Sequence, residues 1–118
     1  AALVDKAINY NTESVPAQQV LRMATINGAK ALGLEKEIGS LEVGKRADLI
    51  LLDANKPHYF PRHNPVSSIA YSAQAGDVST VLVNGKVLME NYEVKTINVE
   101  ETMLEGERMA FDLVSRAK

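Results

Sequence analysis

The side chains able to do chemistry are few and widely spaced. A chain without cysteine has no thiol nucleophile, no disulfide and no thiolate metal site, so a metal centre would need histidines and carboxylates. Its two histidines, His58 and His63, lie in a stretch broken by Pro57, Pro61 and Pro65. Proline removes a backbone donor and ends the helix that would present two ligands one turn apart. The simpler reading is a pair of partly solvated loop histidines; the alternative is an acid–base or metal role, because imidazole titrates near neutrality. Asp48 and Asp53 bracket the apolar run Leu49-Ile50-Leu51-Leu52. Carboxylates so placed are expected to cap a turn or to pair with Lys45 or Arg46. Gly44-Lys45-Arg46 shares a Gly-Lys step with phosphate loops but lacks the glycine-rich stretch before it and the Ser/Thr after it. Ser67 and Ser68 have no nucleophile-elbow context and no positioned base. Tyr71 and Tyr92 read as packing residues with accessible hydroxyls. Glu100, Glu101, Glu105 and Glu107 read as a solvated helix face. No residue is assigned a catalytic or metal-binding role from its type and spacing.

The elements that would carry these residues run helix, strands, helix. Leu3, Val4, Ala7 and Ile8 make one apolar stripe over residues 1–10. After the polar break Asn11–Ser14, Pro16 suits the first turn of a second helix. Val20, Leu21, Ala24, Gly28, Ala31 and Leu32 then recur at helical spacing, with Gly33 as the stop. The small residues Ala24, Gly28 and Ala31 imply close approach to another element. Leu49–Leu52 is too short for a helix and suits a strand buried on both faces. Residues 55–65 are expected to be loop, and 67–72 a short helical turn. Asn84-Gly85, between Thr80–Val83 and Lys86–Met89, specifies a type I′ hairpin. Its register would pair Leu82 with Val87 and Val81 with Leu88 on opposite faces. Both faces are apolar, so the hairpin wants a cover on each side. Asn98 with Glu101 three residues on marks the start of a final helix, along which Asp112 and Arg116 form an i,i+4 pair.

The whole chain has 118 residues, 46% hydrophobic and 24% charged, with a net charge of −2. That is one small soluble domain, with neither a long apolar span for a membrane nor a secretory leader. The slightly acidic balance offers no electrostatic footprint for nucleic acid or an anionic membrane. Absence of cysteine fits a cytoplasmic setting. The chain begins at Ala1 in helical text, which either Met removal or a longer parent chain accounts for.

Residues 15–53, with Ala24-Thr-x-Asn-Gly-Ala-Lys-Ala-Leu-Gly-Leu34 and Ile38-Gly-Ser-Leu-Glu-Val-Gly-Lys-Arg-Ala-Asp-Leu-Ile50, resemble the C-terminal region of the amidohydrolase superfamily. Residues 64–88 continue the likeness. Within the superfamily the text is most similar to the branch of methylthioadenosine/S-adenosylhomocysteine deaminases and triazine chlorohydrolases. The resemblance implies an α+β segment. Residues 1–33 would be the last helices of a (β/α)8 barrel region. Residues 34–97 would be the C-terminal strands of a small composite β-sandwich, and 98–118 a C-terminal helix. It implies a longer parent that hydrolyses C–N or C–Cl bonds of a heterocycle, its Zn or Fe activating water and a carboxylate shuttling the proton. The family's metal ligands match no position here, so the resemblance implies no catalytic residue, no metal ligand and no cofactor in this segment. The partners it implies are the rest of the parent chain, barrel and N-terminal sandwich strands. The uncovered hairpin also admits a homo-oligomer. The reading from another class is a free-standing binding or oligomerisation module.

Overall fold

The structure, a computed structural model, describes residues 2–116. The first residue and the last two of the expected segments lie outside the described residues. Three helices come first: α1 (Ala2–Asn9), α2 (Ala17–Ala24) and α3 (Ile26–Ala31). Strand β1 (Leu49–Leu52), a 3-10 turn (Pro57–Tyr59), helix α4 (Pro65–Tyr71) and a second 3-10 turn (Ala75–Asp77) follow. The chain then forms β2 (Val78–Val83), β3 (Lys86–Glu90) and β4 (Glu93–Val94), and ends in α5 (Val99–Arg116). The mixture of helix and antiparallel strand agrees with the expected class.

Several local forms follow from single residues. The helix expected from Ala17 to Leu32 is two helices, because Thr25 leaves the helical region (φ −124°, ψ −102°). Its hydroxyl donates back to Leu21 O (2.7 Å), a local bond that competes with helix propagation. Gly33 (φ +71°) ends α3 as expected. The close approach falls on Ala29, which is buried, rather than on Ala24, Gly28 or Ala31, which are exposed. Gly39 is what Ala29 meets: a Cβ on Gly39 would stand 2.7 Å from Ala29 Cβ and 3.0 Å from Ile26 Cα. Pro65 opens α4, and Asn64 caps it by accepting from Val66 N (3.0 Å) and Ser67 N (3.2 Å). The helical turn expected at 67–72 is therefore a capped helix that begins earlier and packs against α2.

The sheet has the order β1-β2-β3-β4, each pair antiparallel. Asn84 (φ +49°) and Gly85 (φ +75°) form the expected hairpin turn. Leu82 faces Val87 as expected, but Val81 faces Met89, not Leu88. Leu88 is an extra, bulged residue, and its carbonyl accepts instead from Lys95 N (2.8 Å). A second bulge sets Leu51 opposite Thr80 and Leu52 opposite Val78. The intervening Ser79 carbonyl accepts from Tyr92 N (2.9 Å). Both bulges thus hand a freed acceptor to the β3–β4 segment, which satisfies it.

β1 is an edge. Gly85 N donates to Ala47 O, and Asp53 N donates to Asp77 O. Odd positions of β1 therefore face β2, and by strand alternation Ile50 and Leu52 turn their backbone N–H and C=O outward. The strand expected to be buried on both faces has Ile50 and Leu51, one per face, each 53% exposed. The stripe Leu3, Val4 and Ile8 of α1 is exposed, as is every residue of α5. The radius of gyration is 18.9 Å, against about 13.5 Å for a compact domain of this length. The solvent-accessible surface is 9194 Å², against about 6,300 Å² for a compact protein of this mass. Apolar faces, not polar extensions, account for this openness.

Candidate functional site

Where β2 begins, one carboxylate gathers four donors from three segments. Asp77, 2% exposed, is the buried acid. Its Oδ2 accepts from Gln74 N (2.8 Å), His58 Nε2 (2.8 Å) and Tyr59 OH (3.0 Å). Lys56 Nζ stands 3.3 Å from Oδ1 and donates to Gly76 O (2.9 Å). The sequence builds this locally. Pro57 starts a 3-10 turn that carries His58 and Tyr59 on one side of the loop. The Asp77 amide donates to Gln74 O (3.0 Å) while the Gln74 amide donates to the Asp77 carboxylate, a reciprocal cap. Tyr59 is buried with the carboxylate, its ring tilted against His58 with centroids 4.7 Å apart.

Burial alone would raise the Asp77 carboxyl, but the Gln74 amide, His58, Tyr59 and Lys56 outweigh it and hold the group well below the carboxylate range. Burial and the bond to Asp77 push the Tyr59 hydroxyl up. Burial pulls the Lys56 ammonium down, yet its bond to Asp77 and the nearby Tyr92 leave it raised overall. Tyr92 extends the network: its ring lies 5.3 Å from Lys56 Nζ, and its hydroxyl donates to Asp53 Oδ2 (3.1 Å). An ionised carboxylate held by four donors is an anchor. It ties residues 56–59 to the start of β2, and its oxygens are committed to protein donors.

The residues singled out in the sequence divide around this anchor. His58 belongs to it; His63 is exposed. Asp53 accepts from Asn55 N (2.9 Å) and Tyr92, and Asp48 from Asn84 N (2.6 Å). Both cap turns, as expected, but neither pairs with Lys45 or Arg46. Lys45 donates to Glu35 O (2.7 Å) and Ser40 Oγ (2.6 Å) and stands 3.4 Å from Glu42, whereas Arg46 bridges Glu37 (2.5 Å). The Gly44-Lys45 step thus fastens a loop to itself. Ser68 Oγ donates to Asn64 O (3.2 Å) inside its own helix. Asn98 accepts from Glu101 N (3.2 Å), and Arg116 meets Asp112.

Sequence reading missed Asp77. The signal was an acid directly ahead of the apolar strand Val78–Val83, after Gly76, with a Lys-Pro-His-Tyr run upstream. Its three side-chain partners lie about twenty residues away, and no local pattern states that pairing.

The arrangement does not fit a metal. Among the described residues no group of three or more His, Cys, Asp or Glu side chains could hold one. The single His–Asp pair has a lysine ammonium on the same carboxylate. A cleft of about 240 Å³ beside Tyr59, lined mainly by Leu52, Pro65 and Ile69, is smaller than usual small-molecule pockets.

Comparison with known proteins gives the family. The model of the amidohydrolase family matches residues 1–88, about three quarters of the chain, and the chain belongs to that family. Among curated relatives, the 5-methylthioadenosine/S-adenosylhomocysteine deaminase of Thermoanaerobacter pseudethanolicus is 55% identical over 116 residues, which is 98% of this chain and 27% of that protein. The zinc-bound adenosine deaminase of Xanthomonas campestris superposes with a TM-score of 0.91 at 30% identity, covering 97% of this chain and 26% of that one. The zinc-complexed atrazine chlorohydrolase of Arthrobacter aurescens superposes with a TM-score of 0.78 at 29% identity, covering 89% of this chain and 23% of that one. The chain spans about a quarter of the length of the relatives it matches.

Proposed function

We propose that this chain is the structural share of a metal-dependent aminohydrolase acting on an adenosine-type ring. In this reading residues 1–33 are the last helices beside a (β/α)8 barrel, 34–97 the C-terminal strands of a composite β-sandwich, and 98–118 the terminal helix. The metal and the acid–base carboxylate belong to the barrel, and the sandwich is completed by strands from elsewhere in the parent.

One observation carries the proposal. The chain is open and has little core, yet its conformation superposes on part of a zinc-bound adenosine deaminase with a TM-score of 0.91. An arrangement that leaves Leu3, Ile8, Ile50, Met103 and Phe111 in water is costly by itself, at roughly 25 cal/mol for each Å² of apolar surface left wet. It makes sense as one wall of a larger body. The family's hydrolytic metal chemistry, activation of a bound water, has no ligand set among the described residues. This chain's contribution is to present faces and to fix loops, with Asp77 as the main fastening.

The experiment is an ammonia-release assay on the 118-residue chain with zinc and methylthioadenosine or adenosine, run beside zinc quantification. No retained zinc and no ammonia are expected. Turnover by the chain alone would overturn the structural role.

A further inference from the structure

We propose that the outer edge of β1 is a self-association surface, and that the partner it takes is β1 of a second copy of this chain. The proposal does not rest on the deaminase reading. It stands on the edge, on the faces beside it and on the area left open.

β1 ends the sheet and is unpaired on its outer side among the described residues. Natural edges are usually blunted by lysine or proline, or covered; Leu49-Ile50-Leu51-Leu52 contains neither residue. Ile50 and Leu52 carry the outward backbone groups, so an antiparallel partner bonds to those two. The register that uses both sets Ile50 opposite the partner's Leu52 and centres a two-fold axis on Leu51, which faces the partner's Leu51. This gives four backbone hydrogen bonds about an isologous axis. The flanking acids fall apart: Asp53 opposes the partner's Leu49, and Asp48 opposes the partner's Ala54. No like charges stand directly opposite, which would weaken a strand pair. Both faces continue across the junction, Ile50 beside the partner's Leu52 on one and the two Leu51 side chains on the other. Two four-stranded sheets become one of eight strands.

Area supports a macromolecular occupant. The surface exceeds that of a compact protein of this mass by about 2,900 Å², while a stable pair needs roughly 800 Å² per partner. The open apolar surface is ample for a second copy.

The test uses the absence of native cysteine. Leu51→Cys places one thiol on the axis, in a pair whose Cα separation of about 4.5 Å allows a disulfide. We expect sedimentation equilibrium to show a reversible dimer of the unmodified chain. Mild oxidation of Leu51→Cys should yield covalent dimer as the main product, with little from Val87→Cys or Leu104→Cys. Leu51→Lys, which sets two ammonium groups across the axis, should weaken the dimer by roughly tenfold or more. Ile50→Pro, which removes an outward donor and no bond to β2, should also weaken it, with circular dichroism reporting a retained fold. A folded chain that stays monomeric at every concentration overturns the proposal. So does a dimer that Leu51→Lys and Ile50→Pro leave unchanged, or one that Leu104→Cys traps instead, because the interface would then lie on α5.

Discussion

His58 Nε2 lies 2.8 Å from Asp77 Oδ2, nineteen residues away, and this pair joins a proline-broken loop to the start of the central strand. A His–Asp pair invites comparison with catalytic dyads, where the acid orients an imidazole toward a nucleophile. Here the same carboxylate oxygen also accepts from Tyr59 and the Gln74 amide, and Lys56 takes the other oxygen. The imidazole serves as one donor among four.

Acid should release this fastening before it unfolds the rest. The Asp77 carboxyl is held below its ordinary value, so its contribution is complete above the unfolded-state value near 3.9 and fades as pH falls through the folded-state value. Amide exchange of residues 56–59 should therefore quicken below about pH 4. In Asp77→Asn exchange there should be faster already at neutral pH and much less dependent on acid. An unchanged acid profile in that variant would assign the loss to another carboxylate.

Gly39→Ala should destabilise the α3 region by about 2 kcal/mol or more, because the new methyl meets both a positive-φ backbone and Ala29. Urea unfolding reads this directly. Gly44→Ala is the matched comparison: its φ is also positive but nothing lies within 4 Å, so it should cost about 1 kcal/mol.

Asn98→Ala should cost α5 about 1 kcal/mol of helix stability, since Asn98 accepts from the Glu101 amide at its start. No residue of α5 is buried, so the change should appear as local fraying in amide exchange over 99–104 and leave the sheet unaffected. Loss of protection in β2 would show that α5 is coupled to the sheet more tightly than its exposure implies.

How far the sequence could be read follows from how local each feature is. The Asn84-Gly85 turn, the Gly33 stop and the Asn98 cap depend on a few neighbouring residues, and all three form. The two bulges, at Ser79 and Leu88, do not: each exists because the β3–β4 segment accepts a displaced strand through Tyr92 and Lys95, a tertiary event with no sequence marker. The split at Thr25 turned on one hydroxyl bond against a good apolar stripe. Ala29 displaced the other small residues because Gly39, ten positions on, comes down on it. The anchor escaped notice because its acid looked like an ordinary turn residue. The family pattern across residues 15–53, by contrast, was written in consecutive text and pointed to the family found.

The central claim is that these residues form the structural share of an adenosine-type deaminase. A chimera tests it most directly: this chain replaces the matching 116 residues of the Thermoanaerobacter pseudethanolicus deaminase, and ammonia release from methylthioadenosine is measured with zinc content. The account predicts a zinc-loaded chimera with activity within roughly tenfold of the parent, a change of about 1.4 kcal/mol in the barrier. A chimera that folds and holds zinc but releases no ammonia would contradict it.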